Sequence, residues 1–287
     1  MTRGLAIVAL LLAAILCASA SAAQTSAPVQ SELAAVLNGL AARTQQYYDR
    51  FISIICTETV RSQDLKFTLA PIGKPRVTVF ELSVSRNAEP RHEDDFRVGR
   101  TLLSMNGKAA RKNQEPGCTD PKTGSPEPLG FLLARNQPRY RFALDGPASG
   151  GRAGTRALSF VQWPPDRVKV TWSGSCFNAD GGGEEGRVWF DPATFDVLQL
   201  DLKLSNPINV PMPAGLMGVQ ARIRVERWEM TVHFERVPFE KPDEIVLLPE
   251  SIETLAVIRG AASLRSTQTL TNFRRFLSES TIRAITF

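Results

Sequence analysis

The chain has 287 residues, 43% of them hydrophobic and 22% charged, with 34 Lys and Arg set against 29 Asp and Glu. That composition belongs to a packed protein rather than a disordered one. The net charge of +5 is scattered, without the basic stripe interleaved with aromatics that tracks a phosphate backbone, so nucleic acid is excluded as a partner. Two histidines leave little material for a zinc centre or a His-based proton relay, and no metal or cofactor is expected.

Residues 1–23 carry a charged start at Arg3, an apolar run from Leu5 to Cys17, and small residues from Ala18 to Ala23. These are the three parts of a secretory signal peptide, with cleavage expected after Ala20 or Ala23. The run is shorter than the roughly 20 residues that span a bilayer. The expectation is an exported protein, periplasmic or secreted and not integral to the membrane, whose residues 24–287 form a single domain. Cys17 raises a lipoprotein reading, but the bulky Leu16 stands before it where that processing takes a small residue.

Next along the chain, Leu33, Val36, Leu37, Leu40, Tyr47 and Phe51 recur at spacings of three, four and seven, and the stripe continues to Ile54 and Ile55. This periodicity predicts one long amphipathic helix capped at Ser31, with Gly39 as a weak point in its middle. Ser125 followed by Pro126 predicts a shorter helix to Arg135, with Leu129, Leu132 and Leu133 on one face.

Almost everything else reads as strand. Val168, Val170 and Trp172 alternate with polar residues, as do Leu198, Leu200, Leu202 and Leu204, so each strand has one buried and one wet face. Trp228, Met230, Val232 and Phe234 continue the pattern. Ile223 and Val225 stand in the opposite register, which a bulge near Glu226 or Arg227 reconciles. Further strands are predicted at 76–86, 97–106, 139–145, 155–163, 186–191, 245–259 with a break at Pro249, 262–276 and 281–287. Asn106-Gly107 and Asp191-Pro192-Ala193-Thr194 read as hairpin turns. The prolines of 206–218 predict a loop, although Ile208, Val210, Met212, Leu216 and Met217 make it apolar. The predicted fold class is mostly β with an N-terminal helix (α+β): a large curved antiparallel sheet or half-barrel packed on one long and one short helix.

No constellation supports catalysis. His92-Glu93-Asp94-Asp95 lacks the i, i+4 spacing of helical metal ligands and reads as a solvated acidic turn. His233 lies on the polar face of its strand and reads as one of a cross-strand polar pair. Glu184-Glu185 falls in a Gly-rich loop that holds no fixed carboxylate separation. There is no Gly-x-Ser-x-Gly elbow, and the Gly-rich segments 145–154 and 178–186 lack the phosphate-loop pattern. After export three cysteines remain. Cys118 and Cys176 lie in loop-like sequence and are expected to form a disulfide, whereas Cys56 ends an apolar stretch and is expected to be buried and reduced.

Geometry carries the functional reading. Ten or so strands spaced about 4.8 Å apart make a sheet far wider than one helix, about 10–12 Å across, can cover. The sheet must curl around its helices, leave a groove, or bind something apolar. If a groove lies between sheet and helix, Leu200, Leu202, Met230 and Val232 line it, with Met212 and Met217 contributing from the loop. The rival reading makes the strand residues core and the loop a core closure.

Several segments resemble a family of exported bacterial proteins of unknown function: Cys56-Thr57-Glu58-Thr59-Val60-Arg61, Met105-Asn106-Gly107-Lys108, Gly186 to Thr194, Leu247-Leu248-Pro249-Glu250 and Thr271 to Phe276. The order of elements also resembles the periplasmic lipoprotein-carrier superfamily of half-barrels (LolA, LolB and RseB-like). That resemblance implies an incomplete barrel whose concave apolar face, plugged by helices, holds acyl chains. The functional expectation is an exported non-enzymatic binding or carrier protein for an apolar ligand, a lipid or lipoprotein acyl chain. The alternative is a structural or sensory envelope module that binds a protein partner. A transmembrane barrel fits less well, because Arg283 would face lipid alongside Ile285. Mass spectrometry of the exported protein should show an N-terminus at Ser21 or Gln24, and an unprocessed Met1 would refute the signal-peptide reading.

Overall fold

The computed structural model describes residues 26–51, 53–86, 96–111, 114, 117–118, 121–145, 154–173, 176–213, 222–240 and 243–275. The segment expected to be a signal peptide, the strand expected at 281–287 and His92 to Asp95 lie outside the described residues. Helix α1 spans Ser26–Arg50, and the strands are β1 Ile54–Leu65, β2 Arg76–Arg86, β3 Phe96–Met105, β4 Lys108–Ala109, β5 Tyr140–Leu144, β6 Arg156–Gln162 and β7 Lys169–Ser173. They continue as β8 Cys176–Asp180, β9 Glu184–Phe190, β10 Val197–Leu204, β11 Ile208–Pro211, β12 Arg222–Glu240, β13 Asp243–Arg259 and β14 Ser263–Arg275.

Twelve of these strands form one sheet, in the order β4-β3-β2-β1-β14-β13-β12-β10-β9-β6-β5, with β11 also paired to β12. The described pairings are antiparallel. Strands β7 and β8 make a separate hairpin. The sheet curls: Val84 and Phe96 from one flank and Leu158 and Phe160 from the other belong to a single buried cluster with helix residues Val36, Leu40 and Tyr48. It does not close, since β4 and β5 are opposite ends of the strand order. This is the expected α+β half-barrel around an N-terminal helix.

The helix begins at Ser26, so Ser31 lies inside it rather than capping it, and it stops at Arg50, five residues before the predicted stripe ends at Ile55. Ile54 and Cys56 are buried as inward residues of β1, not as a helix face. Spacings of three and four carried over into a strand by chance, and the turn at Ser53, with φ of 53°, separates the two elements. The second predicted helix is a 3-10 helix, Glu127–Leu132, followed by another at Gln137–Arg139, with Leu133 extended between them. Ser125 accepts a hydrogen bond from the Glu127 N–H at 3.2 Å, and Leu129, Leu132 and Leu133 are buried together.

Strand β13 runs straight through Pro249. The pairing jumps from His233–Ser251 to Phe234–Pro249, so the extra residue Glu250 forms a bulge where the missing proline N–H is tolerated. The other bulge falls at Glu226. The prolines of 206–218 predict a loop, yet Ile208 to Pro211 form β11 and pair with β12, where a proline at the strand end loses little. Glu184 and Glu185 are in strand β9, and the Gly-rich loop narrows to Gly181–Gly183, all at positive φ. Asn106 and Gly107, with φ of 50° and 75°, make the tight β3–β4 hairpin. Among the described residues no helix is long and apolar enough to cross a membrane.

Gly39 has a packing reason. A Cβ there would lie 2.5–2.7 Å from three atoms of the Phe195 ring, which itself stacks on Phe190. Gly39→Ala gains about 1 kcal/mol of helix propensity but overpacks a contact whose relief costs about 1–3 kcal/mol. Thermal unfolding should therefore show a lower midpoint for Gly39→Ala; an unchanged or higher one would mean that the ring swings aside freely.

Candidate functional site

The concave face of the half-barrel is the candidate site. Its floor is the inward row of each strand: Leu200 and Leu202 on β10 stand opposite Val232 and Met230 on β12, and Val188 on β9 lies beside Leu200. Its cover is α1, which inserts Val36, Leu40, Tyr47 and Tyr48, together with Leu129 and Phe131 of the 3-10 helix. Aromatic rings fill the space between. Phe131 stacks on Phe160 at 4.0 Å, Tyr48 meets Phe96 at 5.4 Å, and Tyr47 meets Phe51 edge-on at 5.4 Å. Burying each such side chain contributes about 1.5–3 kcal/mol.

The structure brings Leu200, Leu202, Met230 and Val232 together in this core beneath the helix, all 9% exposed or less. Met212 is not beside them. It packs on a second apolar cluster, in which Trp172 and Phe177 of the β7–β8 hairpin cover Val210, Ile223 and Val225. Met217 lies outside the described residues. Cys118 and Cys176 are bonded, with Cα atoms 5.2 Å apart and 58 residues between them in sequence, which ties the hairpin to the segment before Pro121. Cys56 is a buried free thiol, pushed up to about 12 by burial and by the neighbouring Glu58 charge. His233 lies opposite Gln199 and Ser251, among polar cross-strand neighbours.

Two buried polar devices were missed at the sequence level. Asp196, in the β9–β10 turn, is 1% exposed and accepts hydrogen bonds from both sides: Arg43 Nε of α1 at 2.5 Å, and Arg236 of β12 at 2.9 and 2.5 Å. It fastens the helix to the rim of the sheet. The fastening extends along the helix through Arg156–Glu32 at 2.9 Å and through the Gln137 amide, which donates to the Leu37 carbonyl at 3.0 Å. A cavity of about 20 Å³ remains beside Asp196 and Tyr47, room for about one water molecule. The Tyr47 hydroxyl, buried without a hydrogen-bond partner among the described residues, is held well above its usual titration range by that burial.

The second device is Glu58, inward on β1 and 1% exposed, clasped by Arg100 of β3 through two contacts at 2.7 and 2.5 Å. Arg100 also lies over the Phe80 ring. Near it the inward face turns polar, with buried Thr78, Ser62 and Gln268, the last accepting from the Thr123 hydroxyl. Glu58 was legible in principle, since strict alternation of Ile54, Cys56, Glu58 and Val60 puts one acid among apolar inward residues. Asp196 left no signal, because a turn residue has no periodicity. Among the described residues no group of His, Cys, Asp and Glu is arranged to hold a metal ion.

No family model matches the chain, and no curated protein matches it. Among solved structures it is similar in fold to a LolA superfamily protein from Nitrosomonas europaea, at 10% identity over 83% of this chain and 93% of that one, with a TM-score of 0.36.

Burial raises the Glu58 carboxyl above its ordinary value, and Arg100 opposes the shift without cancelling it. The folded protein therefore binds this proton more tightly than the unfolded chain, so the Glu58 contribution to stability falls as pH rises above 4.5 through its folded pKa. Measured by denaturant unfolding, the stability of the wild type minus that of Glu58→Gln should decline with rising pH over this window. A difference that grows with pH would show the attraction of Arg100 to dominate.

Proposed function

We propose that the protein is an exported, non-enzymatic binding or carrier protein whose concave face takes an apolar chain, a lipid or lipoprotein acyl group, when α1 yields its place. One observation carries the reading: a single apolar cluster runs across the sheet from β3 to β5, and its main cover is one amphipathic helix. The cover is joined to the sheet by a few residues after Arg50 and fastened at its rim by Asp196. The aromatic side chains that fill the trough are the kind of surface that exchanges readily for an acyl chain, because both bury apolar area without directional bonds. The periplasm or the exterior is the compartment this role requires, and the disulfide suits an oxidising one.

The test begins with mass spectrometry of lipids extracted from the purified mature protein, followed by uptake of a fluorescent fatty acid. Asp196→Asn weakens the grip on Arg43 and Arg236, and breaking a buried charge pair costs up to about 3–5 kcal/mol. It should therefore lower the unfolding midpoint and speed uptake. Absence of copurified lipid together with no uptake by either protein would overturn the proposal and favour the envelope module that binds a protein partner.

A further inference from the structure

The opposite face of the same strands holds a feature that the carrier reading does not use. On β9, Val188 and Phe190 point into the core, so Arg187 and Trp189 point away from it. The register places Arg187, Asp201 and Thr231 abreast in one outward row, and Glu185, Lys203 and Glu229 abreast in the next. These rows, extended by Arg141 and Ser159 on β5 and β6, border a groove of about 710 Å³. Its five strands give it a width of about 19 Å, from four spacings of roughly 4.8 Å.

The chemistry of the groove narrows the choice of ligand. Its lining charges cancel, Arg141, Arg187 and Lys203 against Glu185, Asp201 and Glu229. Most are already engaged: Lys203 with Glu185 at 2.8 Å, Arg187 with Asp145 at 2.6 Å, and Asp201 as acceptor from Thr231 at 2.9 Å. A site without net charge has no hold on a phosphate or a cation, and an acyl chain laid over it would strip water from six charged groups, although Phe142, Ala143 and Val161 also line it. Paired carboxylates, guanidinium groups and hydroxyls still have open lone pairs and N–H groups to share with a neutral polar ligand.

Two tryptophans complete the pattern. Trp189 lines the groove, is only 8% exposed, and its indole N–H has no acceptor among the described residues. An indole nitrogen only donates, and leaving it buried and unanswered costs about 1–3 kcal/mol. Trp163 is the next outward position after Val161 and is 53% exposed, with the Arg141 guanidinium 4.5 Å from its ring centroid. Trp163 is not itself part of the lining, but Arg141, which is, lies against it, and a large flat exposed ring beside a groove is a stacking platform. We propose that this outer groove binds a neutral oligosaccharide, with an apolar sugar face stacked on Trp163 and a sugar oxygen accepting from Trp189.

The experiment titrates the mature, disulfide-bonded protein with the N-acetylglucosamine hexamer, cellohexaose and maltohexaose, read by calorimetry and tryptophan fluorescence. At least one should bind at millimolar concentration or below and shift the fluorescence. Trp163→Ala, which removes an exposed ring, should weaken that binding by about tenfold with the unfolding midpoint and fatty-acid uptake unchanged. Trp189→Phe keeps a ring and removes the donor, and should weaken binding by a smaller factor; if it does not fold, Trp163→Ala decides alone. No binding of any of the three sugars, equal affinity in Trp163→Ala, or displacement of the sugar by inorganic phosphate would each overturn the assignment. Uptake of fatty acid lost while sugar binding persists would count against the carrier reading only.

Discussion

A sheet of this width has more apolar face than one helix can cover, and the rest of the structure follows from that shortage. Flat, the strands from β4 to β5 would leave most of their inward residues in water; curled, they bring Phe96 and Phe160, from opposite flanks, into one cluster with Tyr48 and Phe131. The curvature is helped by bulges at Glu226 and Glu250, each of which bends the longest strand pair where an extra residue opposes a continuous partner. What the helix does not reach, the β7–β8 hairpin covers, and the Cys118–Cys176 bond ties that second cover to the segment leading into the 3-10 helices.

Apolar packing alone would let the helix slide in its trough, because dispersion and water exclusion are not directional. Position comes from buried ions. Asp196 receives one guanidinium from the helix and one from the sheet, so it locates α1 along the rim, and Gly39 against the Phe195 ring sets how closely the helix descends. Glu58 and Arg100 act in the same way across β1 and β3 on the far flank. Such pairs contribute little net stability compared with apolar replacements, but they define a single arrangement where several apolar ones would be nearly equal.

The antiparallel alternation gives one set of strands two separate surfaces. Leu202 and Met230 are buried in the core beneath α1, while Asp201 and Thr231, one residue away on each strand, carry their polar side chains on the outer face. A one-residue slip in register would exchange the two faces and destroy both, so the core that specifies register also specifies the outer groove. The two surfaces are separated by the thickness of the sheet.

Much of this was legible in the sequence. Alternation marked β7, β10 and β12, and even the bulge at Glu226, because a half-buried strand writes its register into every second residue. The excess of apolar strand over helix left three outcomes, a curled sheet, a groove or an apolar ligand, and the single cluster shared by both flanks shows the curl. Periodicity failed where a local pattern was shared by two elements, as at Ile54 and Ile55, or where proline masked a marginal strand, as at Ile208 to Pro211. Leu200, Leu202, Met230 and Val232 could be grouped from sequence, but whether they floor an open groove or lie under a helix could not, since that depends on how far α1 descends. Asp196, Arg43 and Arg236 meet across separations of 153 and 40 residues, and Trp163 reaches Arg141 only through the pairing of β5 and β6. Sequence by itself determined the fold class and the two-faced strands, because those are properties of neighbours along the chain. The tertiary structure alone decided the buried clamps, the seating of the helix and the outer groove, because each requires residues that only the closed sheet register brings within contact distance.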